Sequence, residues 1–179
     1  MEKLTLEAIY HQYKKLVFNL ALQYVQQSED AQEITQDVFL AVHQSLADFK
    51  GASKMSTWIY RITINKSLDF IKAKRRKKRF AQIISLFQTE GLGTKYDPVS
   101  FDHPGVLLEQ KESLGKLFQW INELPDNQRT TIILAKIEQK SQSEIAEIMN
   151  LSTKAVESLL QRAKGNLLRK IKQSEGKLK

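Results

Sequence analysis

Residues 141–164 read SQSEIAEIMNLSTKAVESLLQRAK, and their spacing decides how the rest of the chain is read. Ser141 and Glu144 are placed for a capping box, in which the serine oxygen accepts a first-turn amide proton and the glutamate reaches back to the serine N–H. Ile145, Met149, Leu151, Val156 and Leu159 fall at the core positions of two short helices, and Ala146 supplies the small residue where those helices touch. Asn150 occupies the turn between them, where left-handed backbone is needed and asparagine is the next-best residue after glycine. Ser152 is placed to cap the second helix. The pattern predicts a helix-turn-helix, and the ordinary alternative is a plain pair of packed helices.

In a helix-turn-helix the second helix lies in the DNA major groove with its outward face on base edges. Removing the core positions leaves Thr153, Lys154, Glu157, Ser158, Gln161, Arg162 and Lys164 facing outward. Glutamate can accept from cytosine, glutamine can pair with adenine, and arginine can fork onto guanine. Lys154 and Lys164 suit phosphate better.

The charge of the whole chain agrees. Its 179 residues carry 28 Lys and Arg against 20 Asp and Glu, a formal net charge of +8. Residues 66–80 hold eight basic groups and one acidic, and residues 128–179 hold eleven and five, whereas residues 1–65 and 81–127 are each net acidic. Two basic centres flanking an acidic middle suit two separate contacts with one nucleic acid. The chain has no Cys, and its three His (His11, His43, His103) lack metal-ligand spacing. With no glycine-rich phosphate loop, nucleophile elbow or HExxH, the composition argues against an enzyme, and no cofactor or metal is expected. Charges interrupt every apolar run, so no membrane insertion is expected either. The start, MEKLTLEAIYHQYKK, has no signal-peptide cleavage pattern.

Upstream, apolar residues at helical spacing (Ile9, Tyr13, Leu16, Val17, Leu20, Tyr24) predict a helix from Thr5 to about Gln26. Ser28 reads as the N-cap of the next helix, with Glu29 and Asp30 set against its dipole and Ile34, Val38, Val42 and Leu46 as its apolar stripe. Gly51 marks a loop, after which Trp58, Ile59, Ile62 and Leu68 carry a third helix into the basic run. The stretch 91–105, GLGTKYDPVSFDHPG, holds three of the seven Gly and two of the three Pro and reads as a linker. A further helix is expected from Leu107 to Leu124, stopped by Pro125. Asp126 is expected to cap the helix that contains Ile132, Ile133 and Ile137. A last helix is expected over Thr153–Lys172. No period-two strand is evident. The predicted fold is all-α, two small helical domains joined by a flexible linker: 1–80, linker 81–108, and 109–179.

Residues 29–76, EDAQEITQDVFLAVHQSLADFKGASKMSTWIYRITINKSLDFIKAKRR, closely resemble the region 2 signature of bacterial RNA polymerase sigma factors of the sigma-70 family, extracytoplasmic-function group. Residues 121–171, INELPDNQRTTIILAKIEQKSQSEIAEIMNLSTKAVESLLQRAKGNLLRKI, resemble their region 4. The resemblance covers roughly 5–76 and 110–172 in the family's order. It implies a sigma factor that binds core polymerase through the β′ and β subunits and directs promoter recognition and transcription initiation. It also implies a cytoplasmic location and an anti-sigma partner.

The family's roles can be placed on this sequence. The helix bearing EITQDVFL docks on a basic coiled coil of β′ in the family, which here implies Glu33, Gln36, Asp37 and Leu40 as the polymerase face, at i, i+3, i+4 and i+7. The loop Lys50–Ser56 and the helix that follows match the part that opens and reads the −10 element, implying Lys54, Trp58, Arg61, Asn65, Lys66, Lys72, Lys74, Arg75 and Arg76. Trp58 fits either a core role or stacking on a melted base. Thr153, Lys154, Glu157, Ser158, Gln161, Arg162 and Lys164 become the −35 set. Asn150 replaces the family's frequent turn glycine, Glu157 stands where many members carry Lys or Arg, and Met55 stands where an aromatic is frequent. Residues 77–108, extended at about 3.3 Å each, would reach on the order of 100 Å, against about 70 Å for two turns of DNA. The alternatives are a stand-alone helix-turn-helix regulator of duplex DNA and an RNA-binding protein using the basic run.

Overall fold

The structure, a computed structural model, describes residues 5–49, 51–87 and 108–175. Every regular element among them is helical. The glycine- and proline-bearing stretch expected as linker lies almost wholly between 88 and 107, outside the described residues, as does Lys50.

Helix α1 (Leu6–Val25) starts on the side chain of Thr5, which accepts from Ala8 N–H at 3.3 Å. It stops without a glycine. Gln26 takes the left-handed conformation (φ 61°), and its N–H returns to Leu22 O at 2.8 Å. Helix α2 (Ser28–Ser45) begins one residue earlier than expected: Ser28 is its first helical residue, and the capping position falls to Gln27, which makes no side-chain cap bond. Lys74, far along the chain, steadies that end instead, donating to Gln27 Oε1 (3.0 Å) and Asp30 Oδ2 (2.5 Å). A short 3₁₀ turn (Leu46–Asp48) and Gly51 at φ 70° lead to α3, Met55–Phe87. Ile9, Val17, Ala21, Ile34, Val38, Val42 and Ile59 interdigitate as the core of this first lobe. Helix α3 also buries the hydroxyls of Thr63 and Ser67, which find acceptors one turn back: Thr63 donates to Ile59 O and Ser67 to Thr63 O, both at 2.8 Å.

Because α3 runs to Phe87, it enters the stretch expected as linker. Helical residues advance only about 1.5 Å each, so the greatest reach from residue 77 to 108 falls to on the order of 80 Å, still more than two turns of DNA.

The second lobe is α4 (Leu108–Asn122), α5 (Asp126–Ile132), α6 (Gln142–Met149) and α7 (Thr153–Glu175). Asp126 is inside α5 rather than capping it, since Pro125 holds the cap position. Its carboxylate accepts instead from Arg129 Nη2 at 2.6 Å. Arg129 is 1% exposed, and burial lowers its pKa while Asp126 opposes that shift. Ile133–Ile137 form a π-helical turn, with Glu138 N–H reaching back to Ile133 O at 3.0 Å. The turn ends the helix so that Glu138 points across to the first lobe.

The lobes pack on each other. Leu20, Tyr24, Tyr60 and Ile64 join Ile121, Leu124, Ile132, Ile133, Ile145 and Val156 in one buried cluster. Burying Tyr24 requires a partner for its hydroxyl, and it donates to Thr130 Oγ1 at 2.9 Å. Burial, above all other causes, pushes the Tyr24 phenol far above its ordinary range.

Candidate polymerase and nucleic-acid interfaces

The helix-turn-helix forms as its residues require. Ser141 Oγ accepts from Glu144 N–H (3.2 Å) and Glu144 Oε2 accepts from Ser141 N–H (2.9 Å), completing the capping box. The same carboxylate oxygen also accepts from Ser141 Oγ–H (2.8 Å), and accepting from both Ser141 donors holds the Glu144 carboxyl below its ordinary pKa. Asn150 sits at φ 54°, ψ 49° and its N–H returns to Glu147 O, so the left-handed turn is made by asparagine. Ser152 Oγ accepts from Ala155 N–H at 3.2 Å at the head of α7. Ile145, Ala146 and Val156 are buried between the helices, and Met149 and Leu159 are partly buried. Leu151, expected in the core, is exposed: its N–H is tied to Ala146 O at 2.9 Å by the turn, which leaves the side chain outside the packed faces.

On α7, Thr153, Lys154, Glu157, Gln161, Arg162 and Lys164 are all exposed and Ser158 is half-buried. One helix therefore carries amide, carboxylate and cationic side chains together in solvent. The inner side is anchored by the buried Val156 and Ala163.

On α2, Glu33, Gln36, Asp37 and Leu40 are exposed, while Ala31, Ile34, Val38 and Val42 are buried behind them. Leu40 is 56% exposed, a large apolar side chain left in solvent beside two carboxylates. An acidic rim around an apolar residue is complementary to a basic helical partner.

The residues expected at the −10 element divide. Lys54, Asn65 and Arg76 are exposed, and Lys66 is half-buried. Trp58 is half-buried against the first-lobe core, its ring 4.8 Å from that of Phe49. Four cations of the set hold acceptors within the chain. Lys74 is on α2, as above. Lys72 lies 3.5 Å from Asp126 Oδ2. Arg75 donates to Asn122 O at 3.2 Å. Arg61 donates to Glu147 O (2.6 Å) and Ile148 O (3.1 Å) at the end of α6. The last three reach into the second lobe.

Tyr60 and Gln23, which sequence reasoning left unassigned, close the same junction on Glu138: Tyr60 Oη donates at 2.7 Å and Gln23 Nε2 at 2.6 Å. Burial first, then the bond to Glu138, keeps the Tyr60 phenol protonated far beyond its ordinary range. Lys140 Nζ stands over the Tyr60 ring, 5.0 Å from its centroid. Across the junction between α1, α4, α5 and α7 the described residues leave an apolar groove of ≈860 Å³, lined by side chains that include Leu117, Phe118 and Leu167, with Lys136 and Lys164 also bordering it.

The two helical lobes match known families, in sequence order. The sigma-70 region 2 model matches residues 9–77, and the sigma-70 region 4 model matches residues 114–167. The ECF RNA polymerase sigma factor SigW of Bacillus subtilis is 31% identical over 164 residues, covering 89% of this chain and 85% of that protein. The chain belongs to the sigma-70 family, in its extracytoplasmic-function group. RNA polymerase sigma factor YlaC of Bacillus subtilis is 29% identical, with 95% of this chain and 94% of that protein aligned. The fold is shared with CnrH, solved in complex with the cytosolic domain of CnrY (TM-score 0.64, 20% identity, 94% of this chain and 88% of that one). It is also shared with the sigma factor RpoE of Bartonella quintana, solved with the anti-sigma factor NepR (TM-score 0.63, 19% identity, 93% and 96%). This sigma factor therefore acts in transcription initiation, with core RNA polymerase and promoter DNA as its partners. Among its described residues no helix is long and apolar enough to cross a membrane.

Proposed function

We propose that this sigma factor divides its work between the lobes. Residues 1–80 dock on polymerase and hold the −10 strand, 81–108 connect, and 109–179 read the −35 duplex. The observation that carries this reading is the opposed chemistry of two exposed helix faces. Glu33, Gln36, Asp37 and Leu40 on α2 offer acid and apolar surface to a protein, while Gln161, Arg162 and Lys164 on α7 offer donors to a duplex. Polymerase capture is assigned to the first face and −35 readout to the second. The exposed part of α3, with Asn65 and Arg76, is assigned to the −10 strand, where polar edge contacts and a basic groove recognise single-stranded bases. The chain has no catalytic activity of its own and works in the cytoplasm. An anti-sigma factor is its proposed regulator, a reading supported by RpoE of Bartonella quintana, which shares this fold and was solved with the anti-sigma factor NepR.

Charge reversal at Glu33→Lys with Asp37→Lys tests the polymerase face. Both side chains are exposed, so helicity by circular dichroism should be unchanged, while capture of core polymerase should fall on the order of tenfold or more. Unaltered capture by the double variant would make this face mere solvated surface.

A further inference from the structure

Helix α3 outruns the core it belongs to. Phe70 and Ile71 are the last of its residues, among those described, to pack in either apolar cluster, yet the helix continues to Phe87. A helix is held mostly by the apolar face it buries, so such an extension calls for a partner. Residues 76–87 read RKKRFAQIISLF and are patterned for one. Phe80, Ile83, Ile84 and Phe87 recur at i, i+3, i+4 and i+7, the spacing of a single apolar stripe, with Lys78, Gln82 and Ser85 at the complementary positions. Phe80, where the stripe begins, is 66% exposed. Arg76 and Lys77 precede it by four and three residues and so share its side of the helix, while Arg79 borders the stripe at the edge opposite Lys77. All three cations are exposed, and among the described residues none is paired with a carboxylate.

We infer that residues 76–87 are an interfacial helix that seats this chain on an anionic lipid surface. A basic helix with a narrow apolar stripe lies in the headgroup layer, its apolar side among the upper acyl chains and its cations on lipid phosphates. The long stems of Arg76 and Lys77 allow this, because their charged heads can reach phosphate while the stems lie along apolar surface. Cations at both borders of the stripe suit a plane, since a flat anionic surface meets both edges at once. Nucleic acid would satisfy the cations and leave the stripe in water. A protein groove would satisfy the stripe, and would need carboxylates along both of its rims as well. The helix lies on the bilayer rather than across it, as no helix of the described residues is long and apolar enough to span one.

Flotation of the full chain with lipid vesicles tests this. Wild-type protein should bind vesicles of mixed phosphatidylglycerol and phosphatidylcholine on the order of tenfold or more tightly than vesicles of phosphatidylcholine alone, and added salt should shrink the difference. Lys77→Glu together with Arg79→Glu should remove that preference. Phe80→Ser leaves the charge unchanged and should still cost roughly tenfold in binding to the mixed vesicles, the loss of one aromatic anchor. All three side chains are exposed, so circular dichroism should report an unchanged fold in every variant. Equal binding of the wild type to both kinds of vesicle would overturn the inference. So would a Phe80→Ser variant that floats like the wild type, because the apolar stripe would then take no part. Capture of core polymerase supplies the control, and Phe80→Ser should leave it unaltered. If capture falls instead while vesicle binding stays at the wild-type level, the stripe belongs to a protein interface and the assignment to lipid is wrong.

Discussion

Tyr24 of α1 and Thr130 of α5, 106 positions apart, share a hydrogen bond of 2.9 Å at the buried centre of the lobe junction. The bond matters because both groups are shut off from water, and an unpaired hydroxyl there would cost the full desolvation penalty. Tyr24→Phe keeps the ring packing and removes only the donor. The variant should lose about 1 kcal/mol of stability in a denaturant titration, with the slope unchanged. An unchanged midpoint would mean that the lobes are apart in solution and that Thr130 bonds to water.

Arg129 leads to a larger effect. Its guanidinium is buried and held by Asp126, and its Nε and Nη1 have no acceptor among the described residues. Asp126→Ala would leave the whole charge buried without a counter-ion, which costs about 2–3 kcal/mol when the partner is itself partly solvated. The same variant also releases Lys72. Thermal unfolding followed by circular dichroism reads the loss, and a shift within error of the wild type would show that water already serves the guanidinium.

On DNA the two lobes should behave differently. Arg76→Ala on α3 should weaken binding to promoter fragments of any sequence and lower the salt slope by about 0.7 to 0.9, the share of one phosphate contact. Gln161→Ala and Arg162→Ala on α7 should each cost roughly 1–3 kcal/mol on the cognate −35 duplex and little on scrambled DNA. Titrations on both duplexes at several salt concentrations separate the roles. Equal losses on cognate and scrambled DNA for Arg162→Ala would reassign it to phosphate.

Much of this arrangement was readable from residue types and spacing, because the interactions concerned are local. The capping box of Ser141 and Glu144, the left-handed Asn150 and the Ser152 cap each depend on neighbours within one turn, and each formed as read. The exposed faces of α2 and α7 followed from helical periodicity in the same way. Ser28 and Asp126 misled, since a good capping residue beside another possible start can lie one position inside the helix. Glu138 and Arg129 were illegible for a different reason. Their partners are a tyrosine 78 positions away and a carboxylate at an unremarkable spacing, and nothing local distinguishes either from a solvated charge. The bonds of Arg61 to the end of α6 were illegible as well, because a bond to backbone carbonyls leaves no mark on the partner's sequence.

Acid should weaken the helix-turn-helix selectively. The Glu144 carboxyl titrates below its ordinary value in the folded chain, because it accepts from Ser141 N–H and Oγ–H. A group with a lowered folded pKa stabilises the fold fully above its unfolded pKa and loses that contribution as pH falls through the folded one. Stability measured from neutral pH down through the carboxylate range should therefore fall less steeply in Glu144→Gln than in the wild type. Identical pH profiles would show that the capping box does not titrate with folding.

The central claim is that this chain gives core polymerase its promoter choice, and in vitro transcription tests it most directly. The purified protein is added to core RNA polymerase on fragmented genomic DNA from its own source, and the 5′ ends of the transcripts are mapped. The account predicts new start sites that share a −35 and a −10 element, that appear only with this protein and core together, and that disappear with the Glu33→Lys and Asp37→Lys double variant. Transcription unchanged by the protein, together with tight duplex binding in the absence of polymerase, would contradict it.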